Sequence, residues 1–221
     1  MSATHEWTAN EWADPDHAGA YLGRGAEWPP HRFEGEAVAL ALLPAAVGRV
    51  LDLGTGDGRL LATVLAAHPG AVGVALDGSP TMLAAAGRRF AHLGADVEVV
   101  AHDMDRPLPA DRLGCFDAVV SALAIHHCPD PRKQALYREI FALLGPGGVF
   151  INLEHVASPS LAVHHAFFRA IGVDPADEDR SNQLAPVETQ LGWLRQVGFG
   201  DVDCYWKWLE LAVLAGRKPP G

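Results

Sequence analysis

Val50-Leu51-Asp52-Leu53-Gly54-Thr55-Gly56-Asp57-Gly58-Arg59-Leu60 decides how this chain folds: a short apolar strand, a glycine-rich turn and the start of a helix. Glycines let a backbone approach a ligand closely and take positive φ values that other residues resist. A dinucleotide fingerprint would need G-x-G-x-x-G, its last glycine packing helix on strand beside a pyrophosphate. That place is held here by Arg59 and the spacing is G-x-G-x-G, which counts against a nicotinamide or flavin enzyme.

Outward from this turn, apolar runs alternate with helical patterns, the mark of βα units feeding a mostly parallel sheet. The strands read as Val50–Leu53, Val72–Asp77, Val97–Asp103, Phe116–Ala124 and Val149–Leu153, each apolar enough for burial on both faces. Ser79-Pro80 and Asp130-Pro131 supply N-caps with first-turn prolines, and Gly145-Pro146-Gly147-Gly148 stops the helix over Arg132–Leu144. Beyond Leu153 the pattern changes to an inserted cap with a helix over Leu161–Ile171. A helix at Val187–Val197 and an antiparallel pair, Asp201–Trp208 and Leu209–Ala215, follow. The expected fold is a doubly wound, mostly parallel seven-stranded sheet with an antiparallel C-terminal strand pair and a small helical cap. It is read as one domain: an N-terminal lid segment (1–46), a cofactor-binding core (47–153), the cap insertion (154–186) and a C-terminal helix and strand pair (187–221). Met1–Asp14 and Arg217–Gly221 read as frayed ends.

A chain of 221 residues, 49% hydrophobic and 20% charged, suffices for one α/β core that buries roughly 70% of the unfolded surface. No signal peptide or membrane span is read, and three widely spaced cysteines, Cys115, Cys128 and Cys204, match neither a disulfide framework nor a zinc pattern, so a cytoplasmic home is expected. A net charge of −10 with scattered Lys and Arg disfavours a nucleic-acid partner, though a basic patch formed on folding would escape that argument. Oligomeric state is not legible.

Asp77 ends the second strand, at the edge where open α/β sheets bind ligands, and its carboxylate can accept both hydroxyls of a ribose. His102-Asp103-Met104 ends the third. There Asp103 offers an acceptor for an adenine amine, and Met104 with Met82 offers flat apolar cover.

Five stretches together resemble class I S-adenosylmethionine-dependent methyltransferases over about Val47–Leu153. These are the glycine motif with Asp52, Gly54, Gly56 and Gly58; the ribose acid Asp77 within Asp77-Gly78-Ser79-Pro80-Thr81-Met82; Asp103-Met104; Phe116-Asp117-Ala118-Val119-Val120-Ser121; and Leu144-Gly145-Pro146-Gly147-Gly148. The resemblance implies S-adenosylmethionine as cofactor and in-line methyl transfer. It implies a cofactor site of Asp52, Gly54, Gly56, Gly58, Asp77, Gly78, Ser79, Met82, Asp103, Met104 and Ser121. It also implies that Asp16–Glu36 folds over the cofactor, with Tyr21 and Arg32 at the methionine end, where a guanidinium suits a carboxylate. Arg32 reads equally well as a solvated helix residue.

His126-His127 follow the fourth strand and Glu154-His155 the fifth, so both pairs belong at the carboxyl edge. His127 or His155, with His126 beside them, is the expected base; the competing reading is that these histidines only shape the pocket or cap a helix while the acceptor arrives deprotonated. Adjacent histidines point apart and no H-E-x-x-H motif is present, so no metal site is expected. Trp206 and Trp208 read as sheet packing. Leu161, Ala162, His165, Phe168 and Ala170 read as the packing face of the cap helix, and Asp174, Asp177, Glu178 and Asp179 as a solvated loop. The leading function is methylation of a small-molecule acceptor; an RNA (tRNA) methyltransferase and a non-catalytic S-adenosylmethionine-binding protein are the alternatives.

Overall fold

The computed structural model describes residues 11–24 and 29–221. A 3-10 turn, Glu11–Ala13, precedes α1 (Pro15–Leu22) and α2 (Arg32–Leu42). Then come β1 (Arg49–Leu53), α3 (Arg59–Ala67), β2 (Val72–Asp77), α4 (Pro80–Leu93), β3 (Val97–Ala101), α5 (Ala110–Leu113), β4 (Phe116–Ala122), α6 (Asp130–Leu143) and β5 (Leu144–His155). The chain closes with α7 (Leu161–Ile171), α8 (Val187–Val197), β6 (Gly200–Trp208) and β7 (Leu211–Arg217).

Seven strands form one sheet in the order β3-β2-β1-β4-β5-β7-β6. The pairs from β3 to β5 are parallel, and β7 runs antiparallel to both β5 and β6. Alternation along each strand sends residues to two separate cores. Val50, Ala75, Val120 and Ile151 pack under α2, α3 and α4, while Leu51, Val74, Val119 and Phe150 pack under α6 and α8. The strand order reverses between β1 and β4, which is where a ligand crevice opens in such sheets.

Several expectations change. β3 is an edge strand, so Glu98 and Val99 are exposed instead of covered on both faces. It stops at Ala101, and β4 stops at Ala122 because Leu123 turns to φ 53. Ser79 does cap α4, its hydroxyl facing the Met82 amide, but Asp130 lies inside α6 behind Pro129 and makes no cap bond. Gly145–Gly148 stays in the sheet, because Leu144 pairs with Phe116 and Lys218 exchanges backbone bonds with Gly147 and Gly148. Those bonds also fix Arg217 and Lys218, which were expected to fray. Of the other end, residues 1–10 lie outside the described residues, whereas Glu11–Asp14 are placed and Asp14 caps α1. The helix α7 packs through Phe167 and Phe168, leaving Leu161, Ala162 and Ala170 exposed.

At Gly54 the φ is +65 and an added Cβ would lie 2.3 Å from that of Ala124, whereas at Gly56 (φ +56) nothing stands within 4 Å. Gly54→Ala should therefore combine backbone strain with overpacking, a loss of about 2–4 kcal/mol, while Gly56→Ala incurs only the strain, about 1–2 kcal/mol. Urea unfolding of both variants checks this, with losses of equal size counting against the packing argument.

Candidate active site

The carboxyl ends of β1, β2 and β4 open on a cavity of about 770 Å³, within the usual range for small-molecule sites. Its floor is the turn after β1, where Gly54, Gly56 and Gly58 all have positive φ and the Thr55 amide donates to Leu76 O at 3.0 Å. Asp77 accepts from the Gly56 amide at 2.9 Å and the Ser79 amide at 2.8 Å, which pulls the second strand end onto this turn. Burial pushes its carboxyl above the usual range despite those bonds.

Asp52 lies beneath the same turn. Its Oδ2 accepts from Thr55 Oγ1 at 2.7 Å, and its buried Oδ1 has no partner among the described residues. Burial, opposed in part by Thr55, pushes this carboxyl up to about 7. A bare acceptor of this kind calls for a donor, best a cationic one.

Across the cavity Arg32 is buried, so it is not a solvated helix residue. Its Nε donates to Glu36 at 2.8 Å and its Nη1 to Tyr21 Oη at 3.2 Å, while Arg59 donates to the other Glu36 oxygen at 3.0 Å. Glu36 thus joins Arg32, which lines the cavity, to Arg59 behind it.

Of the expected cofactor residues, Asp52, Gly54, Gly56, Asp77, Gly78, Ser79, Met82, Met104, Tyr21 and Arg32 line the cavity. Three do not. Ser121 is buried in β4 with its hydroxyl donated to Leu53 O at 2.7 Å, so it holds β1 to β4. Gly58 is covered by Phe90, and Asp103 accepts from the Asp105 amide at 3.0 Å while Asp105 takes the wall position. Thr55 and Asp57, inside the glycine motif but not expected as contacts, also line it, as do Trp12 and Arg180–Gln183, which carried no readable motif.

A second cavity of about 380 Å³ adjoins the first, walled by Phe167, Phe168, Ile171 and Leu211 together with His126, His127 and His155. All three histidines converge here, but differently. His126 Nδ1 meets Glu154 Oε1 at 2.8 Å, and His155 Nε2 meets Glu210 Oε2 at 2.9 Å. Only His127, of the three, borders both cavities. Its Nδ1 meets Ser181 Oγ at 2.8 Å and its buried Nε2 has no partner among the described residues. Burial, then the neighbouring His126, holds the His127 imidazole well below its usual pKa, so it is neutral at pH 7.

The acidic loop is not simply solvated. Glu178 lies 3.4 Å from His164, and Asp179 bonds Ser181 and faces His17 of α1 at 3.5 Å. Where α1 meets this loop, Glu11, His17 and Asp179 each place a donor atom within 4.8 Å of the others, a grouping built from segments far apart in the chain and not from the paired histidines. Leu123 borders both cavities in a left-handed conformation, pinned by its amide bond to Leu153 O at 2.7 Å. Such strain persists only where the surroundings over-determine it.

Comparison with known proteins supplies a family for this arrangement. Residues 50–148 match the family described as "Methyltransferase domain". The ubiquinone biosynthesis O-methyltransferase of Xanthomonas axonopodis pv. citri is 31% identical over 219 residues, covering 95% of this chain and 85% of that protein. The demethylmenaquinone methyltransferase of Thermus thermophilus is 35% identical over 144 residues, 63% of each chain. Among solved structures, the S-adenosylmethionine-dependent methyltransferase SibL superposes with a TM-score of 0.65 at 25% identity, over 83% of this chain and 54% of that one. This chain therefore spans just over half the length of SibL and somewhat under two thirds of the Thermus relative.

Asp52 yields a test independent of any ligand. A carboxyl near 7 when folded, against about 3.9 when unfolded, binds its proton more tightly in the folded chain. The stability it contributes is present below about pH 4 and lost as pH rises towards 7. Asp52→Asn, which keeps an acceptor for Thr55, should stabilise the ligand-free protein at pH 8 by about 2–4 kcal/mol, with a smaller gain at pH 5. Urea unfolding at both pH values measures the difference, and an equal gain at both would contradict the assignment.

Proposed function

The chain belongs to the class I S-adenosylmethionine-dependent methyltransferases, and from that premise we propose that it methylates a hydroxyl oxygen of a small aromatic acceptor, with His127 as the base. The observation that carries this reading is the position of His127: a neutral imidazole bordering both cavities, its buried Nε2 without a partner among the described residues. The Xanthomonas relative, an O-methyltransferase by name, and the walls of Phe167 and Phe168 in the second cavity support an aromatic alcohol as acceptor.

S-adenosylmethionine supplies a methyl group already activated by its sulfonium. The residues present fit that cofactor. Asp77 would accept the ribose hydroxyls, Met82 and Met104 would cover the adenine, and the bare Asp52 Oδ1 would take the ammonium at the methionine end. Arg32, held by Glu36 and Tyr21, would take the carboxylate. In this reading the part of the N-terminal segment that borders the cavities, with Glu11, Trp12 and Tyr21, acts as a lid and 154–186 as a cap on one domain, and together they exclude water from the junction. His127 then removes the hydroxyl proton as the acceptor oxygen attacks in line, and the enclosing walls hold that approach. His126 and His155, each with one ring nitrogen committed to a glutamate, shape the second cavity instead.

Calorimetry should show binding of S-adenosylmethionine and S-adenosylhomocysteine but not NAD. Asp77→Ala should weaken it by about 1–3 kcal/mol, the cost of losing a charged acceptor. No cofactor binding, or tight NAD binding, would reject the site.

Labelled methyl groups should pass from S-adenosylmethionine to a hydroxylated aromatic in a metabolite extract, and His127→Ala should lower the single-turnover rate by about 10²–10⁴-fold with cofactor affinity unchanged. Because the His127 pKa is depressed, the wild-type rate should hold below pH of about 6.5, the reference value for histidine. Label in tRNA instead, or a wild-type rate in His127→Ala, would overturn this reading.

A further inference from the structure

Ser181 and Asp179 stand on the loop that follows α7, more than fifty residues from the histidine they reach. Asp179 Oδ1 accepts two hydrogen bonds from Ser181, from its amide at 2.8 Å and its hydroxyl at 2.7 Å. Burial works against the charge, but these two bonds, together with the nearby His127 and His17, hold the Asp179 carboxyl below its usual range. An ionised carboxylate only accepts. The single hydroxyl proton of Ser181 is therefore directed at Asp179, and Ser181 Oγ has only lone pairs to offer elsewhere.

His127 Nδ1 lies 2.8 Å from that oxygen. Two lone pairs cannot share such a distance favourably, so the proton between them belongs to Nδ1. Reversing the Ser181 hydroxyl towards His127 would leave Oγ and the Asp179 carboxylate as two bare acceptors at 2.7 Å. The order of protons is thus determined from the acid outward. We propose that Ser181 and Asp179 are positioning residues that hold His127 as its Nδ1–H tautomer, so that the lone pair resides on Nε2 at the junction of the two cavities.

The surroundings fix the geometry of this relay. Gln183 donates its amide to His126 O at 2.8 Å and accepts at its carbonyl from the buried Lys133 ammonium, which fastens the loop to α6. Asn182 donates its amide to Asp179 O at 3.1 Å. The second Asp179 oxygen faces His17 of α1, so the N-terminal helix closes against the same acid without competing for Oδ1. Glu11 stands within 4.8 Å of Asp179 and His17, and Glu154 serves His126 and the His155 amide. The two adjacent histidines therefore answer to separate carboxylates.

This assignment concerns the tautomer and rests on the proposed base only for its purpose, so the test reads the tautomer directly. Protein labelled with ¹⁵N-histidine and saturated with S-adenosylhomocysteine would be examined by long-range proton–nitrogen NMR, with His127 assigned from its loss in His127→Gln. The wild type should show a protonated Nδ1 and an unprotonated Nε2. Ser181→Ala should move the Nε2 resonance towards the protonated range, and Ser181→Thr, which restores a hydroxyl, should return it. A wild-type His127 protonated on Nε2, or a tautomer unmoved by Ser181→Ala, would overturn the proposal. If the tautomer behaves as expected while His127→Ala leaves methyl transfer intact, the positioning role stands and the reading of His127 as base falls.

Discussion

There is no room for a methyl group at Gly54, where a Cβ would meet Ala124 at 2.3 Å and Met104 at 3.1 Å, and the site depends on that closeness. Parallel pairing alone brings β1 and β4 side by side. It is the bare backbone at Gly54 that lets the turn after β1 press against the segment leaving β4. The chain then has little freedom after Ala122, so Leu123 adopts a left-handed conformation and Ile125–His127 forms a tight 3-10 turn. His127 reaches the crevice because the chain turns so sharply there.

The larger cavity is lined by both carboxyl and guanidinium groups. Asp52 and Asp77 line it, both with carboxyls pushed up by burial, and so does the Arg32 guanidinium, held by Glu36, which also pairs with Arg59. Breaking a buried ionic set of this kind by removing one partner is costly, so each member constrains the others. This polarity suits a ligand with separated ammonium and carboxylate groups, as the methionine end of the proposed cofactor has.

The smaller cavity is organised by pairs of imidazole and acid drawn from distant segments. Glu154 on β5 serves His126; Glu210, buried at the turn before β7, joins His155 to His164 of α7, both at 2.9 Å; Asp179 reaches His127 through Ser181. Each pair fastens a covering segment to the sheet edge and also decides which ring nitrogen keeps a lone pair. Covering and chemistry are therefore linked, and α7 contributes as much through His164 as through its buried Phe167 and Phe168.

The sheet and the cofactor edge were legible because they follow from local chemistry. Alternating apolar runs, glycines at a strand-to-helix turn and acids at strand ends have spacings set by strand and helix periods, and these place Asp52, Asp77 and Met104 on one edge without knowledge of the rest. Periodicity also located α7 and α8, though not which face of α7 packs, since Leu161 and Phe168 look alike until a partner surface exists. Ser121 and Asp103 matched their motifs, yet the structure turns one hydroxyl to Leu53 O and one carboxylate to the Asp105 amide. The acidic loop shows the limit most plainly. The bond from Asp179 to Ser181 is local, but His127, reached through Ser181, and His17 come from two distant segments whose meeting is decided by how α1 and the 154–186 segment close over the sheet. A short-range pattern can state what a residue offers, but only tertiary contact decides which proton it receives.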